Sequence, residues 1–341
     1  MSSSHSLDLS FATKPPFRRL FLTGGSGYVG RNLIRHFVAQ GVEVIALARS
    51  EQARGTVQAL GAKPFEGDLF SPLLSAGMTG CDALIHAAAD TDHGLASDAQ
   101  RRTNVDGTRL VFAAASRAGV RRAVHLSTES VLLDGRPLVD ADEDRPIPVR
   151  AVGGYSATKA QAEREVMTAS GPGLEVVIVR PRFIWGRDDT TALPQLLQAV
   201  DTGKFAWIDG GSYRTSTTHI GNLVHGIERA LVAGTPGACY FISDDDTVEF
   251  RSFISALLES QGRPVPVKQV PGWLVRTVAT ISERVSAMTA GRWQPPVTRQ
   301  SLATSAVEVT LNIDKARREL GYRPPVGRAM GLAELKALHS H

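Results

Sequence analysis

Apolar residues follow two rhythms along the first half of this chain. RRLFLTG (18–24), VEVIALA (42–48), ALIHAAA (83–89), RAVHLST (122–128) and LEVVIVRP (174–181) are apolar in short unbroken runs, as strands covered on both faces are. VGRNLIRHFVAQG (29–41), EQARGTVQALG (51–61), TNVDGTRLVFAAASRAG (103–119) and the stretch 155–170 repeat their apolar positions at helical spacing instead. Gly41 and Gly119 stand where helix C-caps belong. Strands of about six residues alternating with longer helices form βαβ units. The pattern predicts an α/β fold with a doubly wound parallel sheet.

Past Pro181 the rhythm loosens. LPQLLQAV (193–200) and HIGNLVHGIERALV (219–232) read as helices and ACYFIS (238–243) as a strand, with 219–243 returning to the first sheet. The expected division is a disordered lead-in over 1–16, a dinucleotide-binding domain over 17–181 and a smaller, mainly C-terminal domain over 182–341. Residues 262–296 are rich in Pro and Gly at both ends, and within them Trp273, Leu274, Val278, Ile281, Val285 and Met288 mark an amphipathic helix. Packing against the second domain is the simplest expectation for that face. Lining an apolar substrate pocket and touching a membrane surface are the alternatives.

Composition narrows the classes. With 341 residues, 43% hydrophobic and 21% charged, the chain can bury a sizeable core as a soluble protein. No apolar run approaches the ~18 residues of a membrane helix, and MSSSHSLDLSFATKPP has no apolar signal core. Cys81 and Cys239 have neither metal nor disulfide spacing and read as buried thiols of a cytoplasmic protein. The net charge of +4 suits an anionic cofactor, but the Arg pairs 101–102, 121–122 and 317–318 are isolated, so no nucleic-acid partner is expected. His86, His125, His219 and His225 share no metal-ligand spacing, and no metal is expected.

TGGSGYVG (23–30) lies between the first strand and the first helix. Gly24 provides a tight turn, Gly27 lets backbone N–H groups approach a pyrophosphate, and Gly30 allows close helix–strand packing. That context points to dinucleotide binding, with Tyr28 and Val29 in the same site. The second strand ends in Ala48, Arg49 and Ser50, without the acid that usually holds NAD ribose. Arg49 and Ser50 suit a 2′-phosphate, which favours NADP(H) with NAD(H) possible; stacking of Arg49 on adenine is the other reading. Asp68, in EGDL, reads as an acceptor for the adenine amino group or as a helix N-cap. YSATK (155–159) sets Tyr155 and Lys159 one helical turn apart.

Together these stretches resemble the extended short-chain dehydrogenase/reductase family, of the NAD-dependent epimerase/dehydratase type, from about residue 18 to 335. TGGSGYVG is similar to its TGxxGxxG, YSATK to YxxxK, and VRPRFIWG (179–186) to RPxxVYG. GDL (67–69), HAAA (86–89), NVDGT (104–108), HLSTESV (125–131), THIGNLVHG (218–226) and KARRELGYRP (315–324) fall at its other stations. The second half is most similar to the 3β-hydroxysteroid dehydrogenase-like branch, through WIDGGSYRTSTTHIGNLVHGIERAL (207–231) and PPVTRQ (295–300).

The resemblance implies a Rossmann fold followed by a substrate-binding domain, with Leu69, Ala87, Ala88 and Arg180 as further cofactor contacts. It implies that Tyr155 is the general acid/base, that Lys159 lowers its pKa and holds the nicotinamide ribose, and that Thr128 fixes the carbonyl oxygen. Glu129 is followed by Ser130, so the second acid of the family's dehydratases is missing. Gly221 stands for the usual Asp and Trp185 for the usual Tyr, while Asn104 reads as a structural hydrogen-bonder and Ser127 as a backbone-bonding strand end. Glu129, Trp185 and Arg214 are the candidate substrate contacts.

The expected function is an NAD(P)-dependent oxidoreductase interconverting a secondary alcohol and a ketone on a rather apolar small molecule. The alternative is a sugar-nucleotide epimerase with retained NAD, in which Arg182, Arg187 and Arg214 grip a diphosphate. A non-catalytic cofactor sensor is a third reading, which the Tyr/Lys pair argues against. The helices at 103–119 and 155–170 resemble the family's dimer face, so a homodimer is expected.

Overall fold

The computed structural model describes residues 15–289, 293 and 295–339, so the lead-in falls outside the described residues up to position 14. Strands β1 (Arg19–Thr23), β2 (Glu43–Ala48), β3 (Lys63–Glu66), β4 (Ala83–His86), β5 (Arg122–Leu126), β7 (Glu175–Pro181) and β12 (Cys239–Ile242) form one sheet. Their order is β12-β7-β5-β4-β1-β2-β3, with every neighbour parallel. The order turns back between β1 and β4, and ligands of open α/β sheets bind at such a switch point.

Helices α1 (Tyr28–Ala39), α2 (Glu51–Ala59) and α8 (Ile220–Ala233) cover one face of this sheet. α3 (Leu74–Met78), α5 (Thr108–Arg117) and, through Val166, α6 (Gly154–Ala169) cover the other. Leu20, Phe21 and Leu22 are therefore buried in succession, which explains the unbroken apolar runs. Gly41 and Gly119 both take φ of +76° just past α1 and α5. The helix expected over 103–119 opens differently. After α4 (Asp98–Arg101) it widens into a π-helical turn over Arg102–Gly107, where a Cβ on Gly107 would lie 2.8 Å from Leu69. Asn104 in that turn donates to the Asp90 carbonyl and to Thr158 on α6, locking the two helices together.

A second sheet runs β13-β10-β15-β6, from β6 (Leu138–Ala141), β10 (Arg214–Thr215), β13 (Val248–Glu249) and β15 (Val309–Leu311). β8 (Ile184–Trp185) pairs with β11 (Thr218–His219), and β9 (Trp207–Ile208) with β14 (Gln269–Val270). A separate core of Trp185, Trp207, Phe253 and Leu257 lies under α7 (Ala192–Asp201), α9 (Phe250–Ser260) and α12 (Arg328–His339).

Helix α10 (Gly272–Met288) corrects an expectation. It forms where its periodicity predicts, yet Trp273, Leu274, Val278, Ile281, Val285 and Met288 are exposed rather than packed on the second domain. The face it turns inward carries Val275, Ala279, Ser282 and Ser286, and Val275 and Ala279 pack with Leu302 of α11 (Arg299–Ser305). Small side chains allow the two helices to approach closely, and the bulky stripe is left outside.

Candidate functional site

At the end of β1, Thr23 is buried, bonds His86 Nδ1 at 2.7 Å and accepts the Ala88 N–H at 3.3 Å. This holds the ends of β1 and β4 together at the switch point. Gly24 follows with φ of +75°, and a Cβ there would lie 2.8 Å from the backbone of Ala87 and Ala88. A Cβ on Gly30 would run into the Gly24 carbonyl. Gly27 is the N-cap of α1, and no side chain caps that helix, so the N–H groups of its first turn at Tyr28 and Val29 face an open cradle. The loop thus fits a dinucleotide pyrophosphate. Tyr28 itself is buried, and burial raises its phenol pKa well above the ordinary value.

Arg49 is exposed at the end of β2. Ser50 is the N-cap of α2, accepting the Ala53 N–H at 3.2 Å, which leaves its hydroxyl proton for a ligand. Asp68 is exposed and accepts the Phe70 N–H at 2.9 Å inside its own loop; α3 begins only at Leu74, so Asp68 is not a helix N-cap. Leu69 packs inward beside Gly107. Arg180 corrects the expectation of a cofactor contact. It is buried in β7 and grips Glu163 with two hydrogen bonds of 2.8 and 2.6 Å, while Ser127 donates to the same carboxylate at 2.5 Å. Glu163 on α6 is thus the partner that neither Arg180 nor Ser127 could reveal in sequence.

The candidate reacting residues, Thr128, Tyr155 and Lys159, lie where β5 runs out against the start of α6. Thr128 is extended, accepts the Ser130 N–H at 3.1 Å and donates to Glu129 at 2.7 Å. Tyr155, on the first turn of α6, is buried beside Thr128, and the His93 ring stands 4.9 Å from its own. Burial raises the Tyr155 pKa, the charge of Glu129 adds to that, and the neighbouring Thr128 hydroxyl opposes both. The expected lowering by Lys159 is therefore reversed in the chain alone. Lys159 turns its ammonium to the Leu126 carbonyl at 2.8 Å and toward His125 at 3.5 Å, and burial lowers its pKa to about 8.

Of the candidate substrate contacts, Glu129 takes a hydrogen-bonded role, its carboxylate paired with buried Arg182 at 2.7 Å. Trp185 is buried in the second core and donates to Asp244 at 2.9 Å, so it is a packing residue. Arg214 is exposed and bound to Thr247. Arg187 donates to Asn32 at 3.0 Å. The three arginines expected on a diphosphate thus have separate partners.

Sequence reasoning missed His93, Gln300 and Asp244. Gln300 accepts the Ser156 N–H at 3.2 Å and donates to Ser130 at 3.1 Å, bracing the helix start that carries Tyr155. PPVTRQ, which ends in Gln300, was the available signal. Asp244 accepts from Asn222, Thr217 and the His219 N–H, anchoring the start of α8 where Gly221 has no side chain to offer. Among the described residues, no His, Cys, Asp or Glu cluster is arranged to hold a metal.

Comparison with known proteins agrees with this geometry. Residues 21–270 match the model of the 3-beta hydroxysteroid dehydrogenase/isomerase family. The chain is 50% identical over 320 residues to a 4-hydroxy-2-methyl-3-oxo-4-farnesyl-3,4-dihydroquinoline-1-oxide ketoreductase of Stigmatella aurantiaca, covering 93% of this chain and 96% of that protein. It is 32% identical to a 2-alkyl-3-oxoalkanoate reductase of Stenotrophomonas maltophilia, covering 94% and 98%. Among solved structures, DesIV, a dTDP-glucose 4,6-dehydratase from Streptomyces venezuelae with NAD bound, superposes with a TM-score of 0.72 at 25% identity, covering 94% and 97%.

Proposed function

Because this chain belongs to the 3-beta hydroxysteroid dehydrogenase/isomerase family, we propose that it is an NADP(H)-preferring ketoreductase for an apolar, chain-bearing ketone. It is an NAD(P)-dependent oxidoreductase, as its relatives named reductases support. Both of those names place a 3-oxo group beside a carbon that bears a farnesyl or alkyl chain. The same class of ketone is the substrate proposed here. The observation that carries the reading is the Tyr155 phenol, kept protonated by burial and held against Thr128.

The glycine cradle would hold the pyrophosphate, Arg49 and Ser50 the adenosine ribose and its 2′-phosphate, and Lys159 the nicotinamide ribose. When bound, the nicotinamide supplies or accepts the hydride. Thr128, whose one hydroxyl proton rests on Glu129 in the chain alone, would turn it to the substrate's carbonyl oxygen and fix its position. Tyr155 donates its proton to that oxygen as the alcohol forms, or takes it back in oxidation. Its raised pKa suits the reductive direction, since the phenol still gives way to a far more basic alkoxide. Arg182 neutralises Glu129 beside the pair. The separate commitments of Arg182, Arg187 and Arg214 leave the epimerase without its diphosphate grip. The homodimer through α5 and α6 in the cytoplasm belongs to the same proposal.

The test follows NADPH and NADH consumption with β-keto acids and prenylated cyclic ketones, alongside the Tyr155→Phe variant. Turnover is expected to fall by about 10²-fold or more in the variant, with cofactor affinity by nicotinamide fluorescence unchanged. Equal turnover by Tyr155→Phe overturns the reading.

A further inference from the structure

Helix α10 faces the wrong way for a core element. Trp273 is 66% exposed, Ile281 56% and Met288 87%, with Leu274, Val278 and Val285 also exposed. At ~100° per residue, Leu274, Val278, Ile281, Val285 and Met288 share one arc of roughly 80°, and the buried Ala279, Ser282 and Ser286 form a separate strip centred about 115° round the helix. Trp293, just beyond the helix, is exposed too. Soluble monomers seldom leave such a continuous apolar stripe uncovered.

Along this stretch the charge is mostly positive: Arg263 and Arg276 are paired with Asp201 and Asp209 of neighbouring elements, while Lys268 and Arg284 are exposed. Between residues 263 and 299 the chain carries Arg263, Lys268, Arg276, Arg284, Arg292 and Arg299 against a single acid, Glu283. That acid is already held by Arg299 at 2.6 Å. Arg284 is exposed on the helix between Trp273 and the aliphatic arc. An aliphatic arc, bordering Trp and a cationic flank together match the chemistry of an anionic lipid surface. No helix among the described residues is long and apolar enough to cross a membrane, and the charges within α10 keep it in the interfacial plane.

The stripe is also close to the reacting residues. α10 packs on α11 through Ala279, Leu302 and Ala306. From α11, Gln300 reaches the Ser156 N–H beside Tyr155. At its start Thr298 donates to the His93 carbonyl at 2.7 Å, and the His93 ring faces Tyr155. One short helix separates the exposed face from the phenol.

We propose that α10 is an in-plane anchor seating this enzyme on a bilayer surface that contains anionic lipids. The apolar arc enters the acyl boundary and the arginines remain at the headgroups. Given the proposed ketoreductase reading, the anchor brings the site to where a chain-bearing ketone is dissolved.

The experiment is flotation of the full-length protein with phosphatidylcholine vesicles, with and without phosphatidylglycerol. The protein is expected to float with the phosphatidylglycerol vesicles, to be released by high salt, and to show blue-shifted tryptophan emission when bound. Ile281→Ser/Val285→Ser/Met288→Ser should stay in solution with an unchanged Tm, and Arg284→Glu should weaken flotation with the anionic vesicles. Failure of the wild type to float, or equal flotation of the triple variant, overturns the anchor. So does a wild-type dimer whose mass halves in the triple variant without any vesicle binding, which assigns the stripe to a second copy. Flotation needs no turnover, so its failure is distinct from failure of the reductase reading.

Discussion

Gln300 accepts a hydrogen bond from the Ser156 N–H, 144 residues away in sequence, and thereby satisfies one of the open donors at the start of α6. Gly153, the N-cap, has no side chain to do so. A Cβ at Gly153 would lie 2.7 Å from Gln300, so the glycine makes room for its own substitute cap. Gln300→Ala leaves the buried Ser156 N–H without its acceptor, while the Ser130 hydroxyl keeps the Ser156 hydroxyl at 2.7 Å. The expected cost is about 1–3 kcal/mol of stability. Because Tyr155 sits on that turn, kcat should fall more than KM rises. A lower Tm with kcat intact would show that the brace has no bearing on Tyr155.

Removing the positive charge at the end of β2 should alter cofactor choice. Arg49→Ala is expected to raise KM for NADPH about tenfold or more while KM for NADH hardly moves. Equal changes for both cofactors would place Arg49 on the adenine instead.

The Glu163–Arg180 pair is almost wholly buried, and losing one partner strands the other. Arg180→Met alone should cost about 3–5 kcal/mol, measured by urea unfolding. Pairing it with Glu163→Leu should recover much of that loss. If the double variant is as unstable as the single one, stranded charge is not the cause.

Acid should weaken the fold through the stacked His86 and His125, whose rings lie 5.4 Å apart. Burial, followed by the charge of Lys159, lowers His86 to about 3 and puts His125 well below the ordinary value. Both are neutral when folded and bind protons near pH 6.5 when unfolded. Their stabilisation is complete above pH 6.5 and is lost as pH falls toward 3. Each contributes about 2 kcal/mol to the difference between pH 7.5 and pH 5. His125→Phe should shrink that difference by the same amount; an unchanged pH dependence would rule the imidazole out.

Local signals were legible and distant partners were not. The glycine loop could be read because one turn, one strand and one helix contain it, and the parallel sheet because unbroken apolar runs have few other uses. YSATK placed Tyr155 and Lys159 on one helix, but not the burial that raises the phenol or the Leu126 carbonyl that turns the ammonium away. Arg180 read as a cofactor contact because its motif is a short one, and Glu163 lies on another element. Trp185 and Asp244 met only through the fold. Periodicity located α10 correctly. It could not say which face would turn outward, because Ser282 and Ser286 are buried by the neighbour they meet.

The second sheet also sets a timetable. β6 ends at Ala141, but its neighbour β15 begins only at Val309, and β10 between β13 and β15 comes from Arg214–Thr215. On the ribosome, the cofactor cradle has all its residues once β4 has emerged. The second sheet waits for nearly the entire chain. Closing such widely separated segments is slow, so β6 must remain unpaired through most of synthesis. This half of the molecule is therefore the more exposed to proteolysis and misassembly in a nascent or truncated chain.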